Sequence, residues 1–394
     1  MLLAANSFIC EKQRRNEIKV IEDNLNKQKI IANFFEGHET ELFIINPEDF
    51  FRIKQNGILD AKVIKELQSE VESVLGKSRF VIIDDEGVNA CAMEEDEVSI
   101  IALYAGTVKK VLCDANIMML SDEFLVGVGN MEVCYHDISI DDYVKRMDEE
   151  NDSVLKMTIS EDYIRETVGY MIASLAVHFI VYHEVGHHKL NHIKKLKEKY
   201  RLSYQEALHT ESPKEYIEER KQMELDADLY AADLIVEKMD SLMQRWGNYL
   251  DIKFGYSEMF QLLIPALVII KENMPSDACS VKEIENSVYL PNIIRIALVA
   301  MVIAGKPQIK RVLWDDIFTM FREDDEYRKQ FEEDNNVAVL DESFQMTETA
   351  YEKFHSLMIA GTEQIYVKIF VGNYSPTTFQ TDIGALNWFR YLYK

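Results

Sequence analysis

The stretch VYHEVGHHKLNH, residues 181–192, holds four of the nine histidines in the chain. Within it His183, Glu184 and His187 form an HExxH pattern. On a helix, positions four apart share a face, so both imidazoles can reach one ion. Zinc is readily bound by neutral imidazole nitrogen, and a catalytic site uses three protein ligands with water in the fourth position. Glu184, beside the first ligand, then projects toward that water as general base. Gly186 costs about 1 kcal/mol relative to alanine in a helix interior. Its presence implies that another backbone or a substrate packs close there. A polar helix face can produce HExxH by chance, so a third ligand is what decides.

A candidate appears 37 positions after His187, where Glu224 and Asp228 stand four apart in ELDAD. Glu224 can supply the third ligand, an oxygen that partly neutralises the dication. Asp228 can accept a hydrogen bond from the distal nitrogen of a zinc histidine and fix its tautomer. The bland alternative is a solvated acidic face. Against it, the following LYAADLI is small and apolar, which makes the helix buried on one side, and buried carboxylates need partners.

HEVGH followed by ELDAD resembles the HExxH…ExxAD pattern of the gluzincin metallopeptidases, particularly the group of the CAAX prenyl protease and its heat-shock relatives. Upstream, VNACA (88–92) and VSIIALYAGTV (98–108) are similar to the NAxA segment and the Gly-terminated strand of that group. The resemblance implies a mostly helical α+β fold, a zincin-like metallopeptidase domain with a small sheet, an HExxH helix and a third-ligand helix. It implies one Zn2+ per chain and a protein or peptide substrate. It also implies that the second strand borders the cleft. Ser99, Ile100, Ile101, Ala102, Leu103 and Tyr104 would then bind an extended substrate by strand addition. YLPNIIRI (289–296) resembles the family segment that ends in Arg, but Tyr289 or Leu290 stands where a histidine is expected. Tyr289 and Arg295 are therefore the candidate transition-state stabilisers, Arg295 being equally suited to a structural ion pair. The prenyl-protease group is membrane-embedded, and the segment 113–160 is long for it. In character the chain is nearer to the soluble Lit-type phage-exclusion peptidases.

Composition sets the remaining bounds. A length of 394 residues exceeds what one core usually fills. The organisation expected is a mainly helical region at 1–79, the metallopeptidase domain at 80–305, and an acidic, aromatic region at 306–394. A net charge of −25 disfavours binding to phosphate backbones, so nucleic acid is not an expected partner. Five scattered cysteines without a CxxC pair suit reduced thiols. No uninterrupted apolar run reaches the 18–20 residues or so of a bilayer span. The expected location is cytoplasmic.

The local pattern predicts strands at 79–84, 88–93 and 97–104, with the HETELFIINPED stretch read as a turn. One helical stretch is expected over 161–200, with further helices after Pro213 and at 261–271 and 293–303. His188 is expected to face solvent or a neighbouring helix. His192 is expected off the ligand face, and His178 in the core. Two rival functions stand beside the peptidase. One is a regulatory or sensor protein on the same scaffold without proteolysis, for instance in phage defence. The other is an interaction protein without metal.

Overall fold

A computed structural model describes residues 44–45, 58–95, 97–120, 125, 128–133, 162–200, 214–250, 255–273, 287, 289, 292–312, 325–336, 338–339, 347 and 349. Most of the expected 1–79 and 306–394 regions, and residues 134–161 of the long segment, lie outside these. In chain order the described elements begin with strand β1 (Ile44–Ile45) and helix α1 (Ala61–Leu75). Strands β2 (Ser78–Ile83), β3 (Ala90–Glu95) and β4 (Val98–Tyr104) follow, then α2 (Ala105–Leu120). The chain continues with α3 (Tyr163–Lys189), α4 (His192–Tyr200), α5 (Lys214–Leu250), α6 (Tyr256–Asn273), α7 (Asn292–Ala304) and α8 (Asp325–Asn335). The fold is mostly helical with a small sheet.

Helix α3 is the axis of the molecule. Asp162 caps its first turn, its carboxylate accepting from Arg165 N at 2.9 Å. Every residue from Thr167 to His187 is buried, as expected of a helix that is apolar all round. Its length and composition would suffice for a membrane span, yet it is covered by α2, α5, α6, α1 and the sheet. Arg165, fully buried near its start, donates through Nε to Met119 O at 2.6 Å and through Nη1 to Val128 O at 2.8 Å. That ties the chain after α2 to the head of α3.

The sheet has the order β1-β2-β4-β3. Strand β4 pairs with β2 in parallel and with β3 antiparallel, Ile101 lying between Phe80 and Ala92. One sheet face, carrying Phe80, Ile82, Ile101 and Leu103, joins the main core with α1, α2 and α3. The strand at 44–45 falls inside the stretch expected to be a turn; it pairs antiparallel with Ile82 and Ile83.

The placing of β4 corrects a sequence expectation. Residues 99–104 were expected to offer backbone hydrogen bonds to a substrate, but both of their edges are already used within the sheet. Among the described residues the unpaired edge beside α3 and α4 belongs to β3. Tyr104 N donates to Asn89 O, which makes 89 and 104 a hydrogen-bonded pair. By antiparallel alternation Cys91 and Met93 then face β4, while Ala90, Ala92 and Glu94 turn their N–H and C=O groups outward.

Candidate active site

Helix α3 presents His183 and His187 on the face that meets α5, and α5 answers with Glu224 and Asp228 one turn apart. Gly186 is what lets the helices approach. A Cβ there would lie 3.1 Å from Ala227 Cα and 3.2 Å from Tyr230 Cβ, so the expected close backbone is that of α5. None of His183, Glu184, His187, Glu224 and Asp228 is more than 4% exposed.

The two histidine Nε2 atoms lie 3.1 Å apart, and His183 Nε2 lies 3.3 Å from Glu224 Oε2. One donor atom from each of His183, His187 and Glu224 falls within 4.8 Å of the others. Ligands at about 2.0–2.1 Å from a tetrahedral zinc ion would be about 3.3 Å apart, so the spacing suits one ion. The charge balance agrees. Among the described residues, Glu184, Glu224 and Asp228 face two buried guanidiniums, those of Arg220 and Arg295, and a dication complements the excess carboxylate. This buried His-His-Glu group could hold a metal ion.

Each ligand has a partner behind it. His183 Nδ1 lies 2.9 Å from Asp228 Oδ1, within hydrogen-bonding reach though not ideally directed. Asp228 in turn accepts from Arg295 Nε at 2.6 Å and Nη2 at 3.0 Å, a bidentate pair. Arg220 Nη2 donates to Glu224 Oε1 at 3.0 Å, which leaves Oε2 turned to His183. Residue 220 was not foreseen, although its position one turn before Glu224 on the same helix face is a readable signal.

Electrostatics follow from burial and these neighbours. Burial alone would lower the His183 imidazole, but the carboxylates of Asp228 and Glu224 override it and hold it up at about 9. His187, dominated by burial, is driven well below the usual imidazole value. Burial would raise Glu224, yet His187, His183 and Arg220 keep it well below the carboxylate range. Burial lifts Glu184 to about 7, and its Oε2 has no hydrogen-bond partner. A buried carboxylate oxygen without a partner is costly unless it has work to do.

The other candidates divide. Arg295 lies under the Tyr289 ring, 5.6 Å from its centroid, so both stand beside the Glu224–Asp228 pair. Two of the three Arg295 nitrogens are committed to Asp228. His178 is buried in the core, its Nδ1 2.7 Å from Ser174 O. His188 Nε2 lies 3.2 Å from Ile100 O, so it meets the sheet rather than solvent or a neighbouring helix. His192 departs most from expectation. The single helix expected over 161–200 breaks at Leu190 and Asn191, the latter with φ 58°, and the turn brings His192 Nδ1 to 3.0 Å from His187 Nδ1.

Residues 138–273 match the model of a peptidase family, Peptidase U49. The matched stretch is about a third of the chain and contains His183, Glu184, His187, Glu224 and Asp228. It supports a peptidase. No curated protein and no solved structure matches the chain.

Proposed function

We propose that the protein is a zinc-dependent endopeptidase of zincin-like architecture, acting on a protein substrate in the cytoplasm. The observation that carries the reading is the convergence of His183, His187 and Glu224 from two helices inside a stretch that matches a peptidase family. His183, His187 and Glu224 would hold the ion. When bound, zinc lowers the pKa of water toward about 7 and polarises a carbonyl.

The remaining chemistry belongs to the chain. Glu184 takes the proton of the attacking water on its free oxygen and passes it to the leaving amine. A carboxylate lifted by burial to about 7 suits both halves of that transfer. Asp228 holds the His183 ring, and Arg295 holds Asp228. The Tyr289 hydroxyl would donate to a developing oxyanion, a role that the closeness of its ring to Arg295 supports. The substrate would lie as an added strand along β3, where Ala90, Ala92 and Glu94 turn outward, and not along Ser99–Tyr104. The strongly acidic composition argues against nucleic acid as the partner. Cys91 and Cys113, both buried thiols, are consistent with a reducing compartment.

The test compares wild type with Glu184→Gln. The variant should keep its metal and lose turnover by several orders of magnitude. New protein N-termini should appear in cells expressing wild type and be missing with the variant. Equal cleavage by both would rule the mechanism out.

A further inference from the structure

The ring of His192 sits edge-on against that of His187, with centroids 5.2 Å apart and planes at 68°. It is 1% exposed. The turn that puts it there is well defined. Leu190 N donates to Gly186 O, Asn191 N donates to His188 O, and Asn191 turns with positive φ. Helix α4 then starts at His192 itself, and Lys195 N closes its first turn on Asn191 O. The imidazole therefore faces the side of His187 that points away from His183 and Glu224. From there it cannot reach the ion those residues would share.

We propose that His192 is a positioning residue for the metal site, accepting the Nδ1–H of His187 on its own Nδ1 and so fixing which His187 nitrogen is free to bind metal. This rests on the peptidase reading above. Two nitrogens 3.0 Å apart cannot both carry a proton on the line between them, and two bare lone pairs would repel. One donates and the other accepts. A His187 that ligates through Nε2 must carry its proton on Nδ1, so His192 is the acceptor and holds its proton on Nε2. The two zinc histidines are thus backed differently. His183 leans on the Asp228 carboxylate, whereas His187 leans on a neutral ring, which adds no negative charge to a buried group already rich in it. Partners of this kind orient a ligand and raise its basicity.

The experiment uses the full chain as wild type, His192→Asn and His192→Phe. Asn keeps an acceptor oxygen near the Nδ1 position, while Phe keeps the ring and removes the acceptor. Zinc affinity is read by competition with a chromophoric chelator, and the Tm of each metal-free protein is read alongside. His192→Phe should bind zinc about 10–100-fold more weakly, with His192→Asn close to wild type and the two metal-free Tm values alike. Equal affinities for Phe and Asn would overturn the proposal. So would a loss in both that tracks their Tm. Wild type that takes up no zinc would defeat the peptidase reading and this proposal together, whereas zinc-binding wild type with an undisturbed Phe variant defeats this one alone. If His192→Phe does not fold, 15N-histidine spectra of zinc-loaded wild type decide. They should show His187 protonated at Nδ1 and His192 at Nε2; a proton on His192 Nδ1 would end the idea.

Discussion

Gly186 is where a missing side chain matters most. Alanine would gain about 1 kcal/mol of helix propensity, but its Cβ would press on the Ala227 backbone at 3.1 Å, and overpacking costs about 1–3 kcal/mol. The two terms nearly offset in stability. They do not offset at the site, because the relief available is to push α3 away from α5 and so separate the histidines from Glu224. Gly186→Ala should therefore weaken metal uptake by at least tenfold while moving the denaturation midpoint only slightly. Titration with zinc beside a urea melt checks both halves. A melt that collapses with metal affinity intact would contradict this account.

At the scale of elements, the edge of β3 is the decisive surface. Glu94 turns its N–H away from β4, so proline at 94 removes no ladder bond within the sheet and an edge position tolerates it. It does remove a donor from an incoming strand. Glu94→Pro should raise KM for a peptide substrate several-fold while leaving kcat and the Tm close to wild type; an unchanged KM would move the substrate elsewhere. Strand β4 illustrates what the sequence revealed and what it hid. The near-continuous apolar run VSIIALY identified a strand, and in a strand that pattern signals burial on both faces. Strand order, however, is set by pairing partners far along the chain, so the edge was assigned to the wrong strand. The positions of β2 to β4, of α7 and of the start of α5 could be read to within a few residues, because alternation and apolar periodicity are local, whereas α5 and α6 extend beyond the stretches expected. Helix α2 could not, since AGTVKKVLCDANIMML continues directly from β4 with buried residues on most of its surface. The break at Asn191 escaped notice for a different reason. No glycine or proline marks it, and that omission displaced His192 from the site. For the candidate metal group itself, HExxH and ELDAD carried His183, His187, Glu224 and Asp228, while the spacing of Arg220 from Glu224 was readable but went unused.

Along α3 and at the start of α4, burial favours the neutral form of four histidines, while the carboxylates beside His183 favour its charged form. His178, His187, His188 and His192 all lie below the ordinary imidazole value, burial being the leading cause. In the unfolded chain the same rings bind protons near pH 6.5. Below that value the unfolded state takes up more protons than the folded one, so stability present above about pH 6.5 is lost as pH falls. The metal-free protein should show a Tm that declines from about pH 6.5 downward. His178→Phe, which removes a titrating ring far from the ligands, should make that decline shallower. A Tm flat from pH 7 to pH 5 would refute the linkage.

Helix α3 also governs when the protein can exist at all. As a chain leaves the ribosome, residues 163–189 emerge long before α5 and α6, the helices that cover them. Through that interval a greasy segment of bilayer length carries His183 and His187 with only α1, α2 and the sheet available to cover it. Synthesis halted near residue 200 would leave a product that chaperones or membranes capture and that has no Glu224 with which to form the site. Hydrolytic power is thereby withheld until the acidic half of the site has been made.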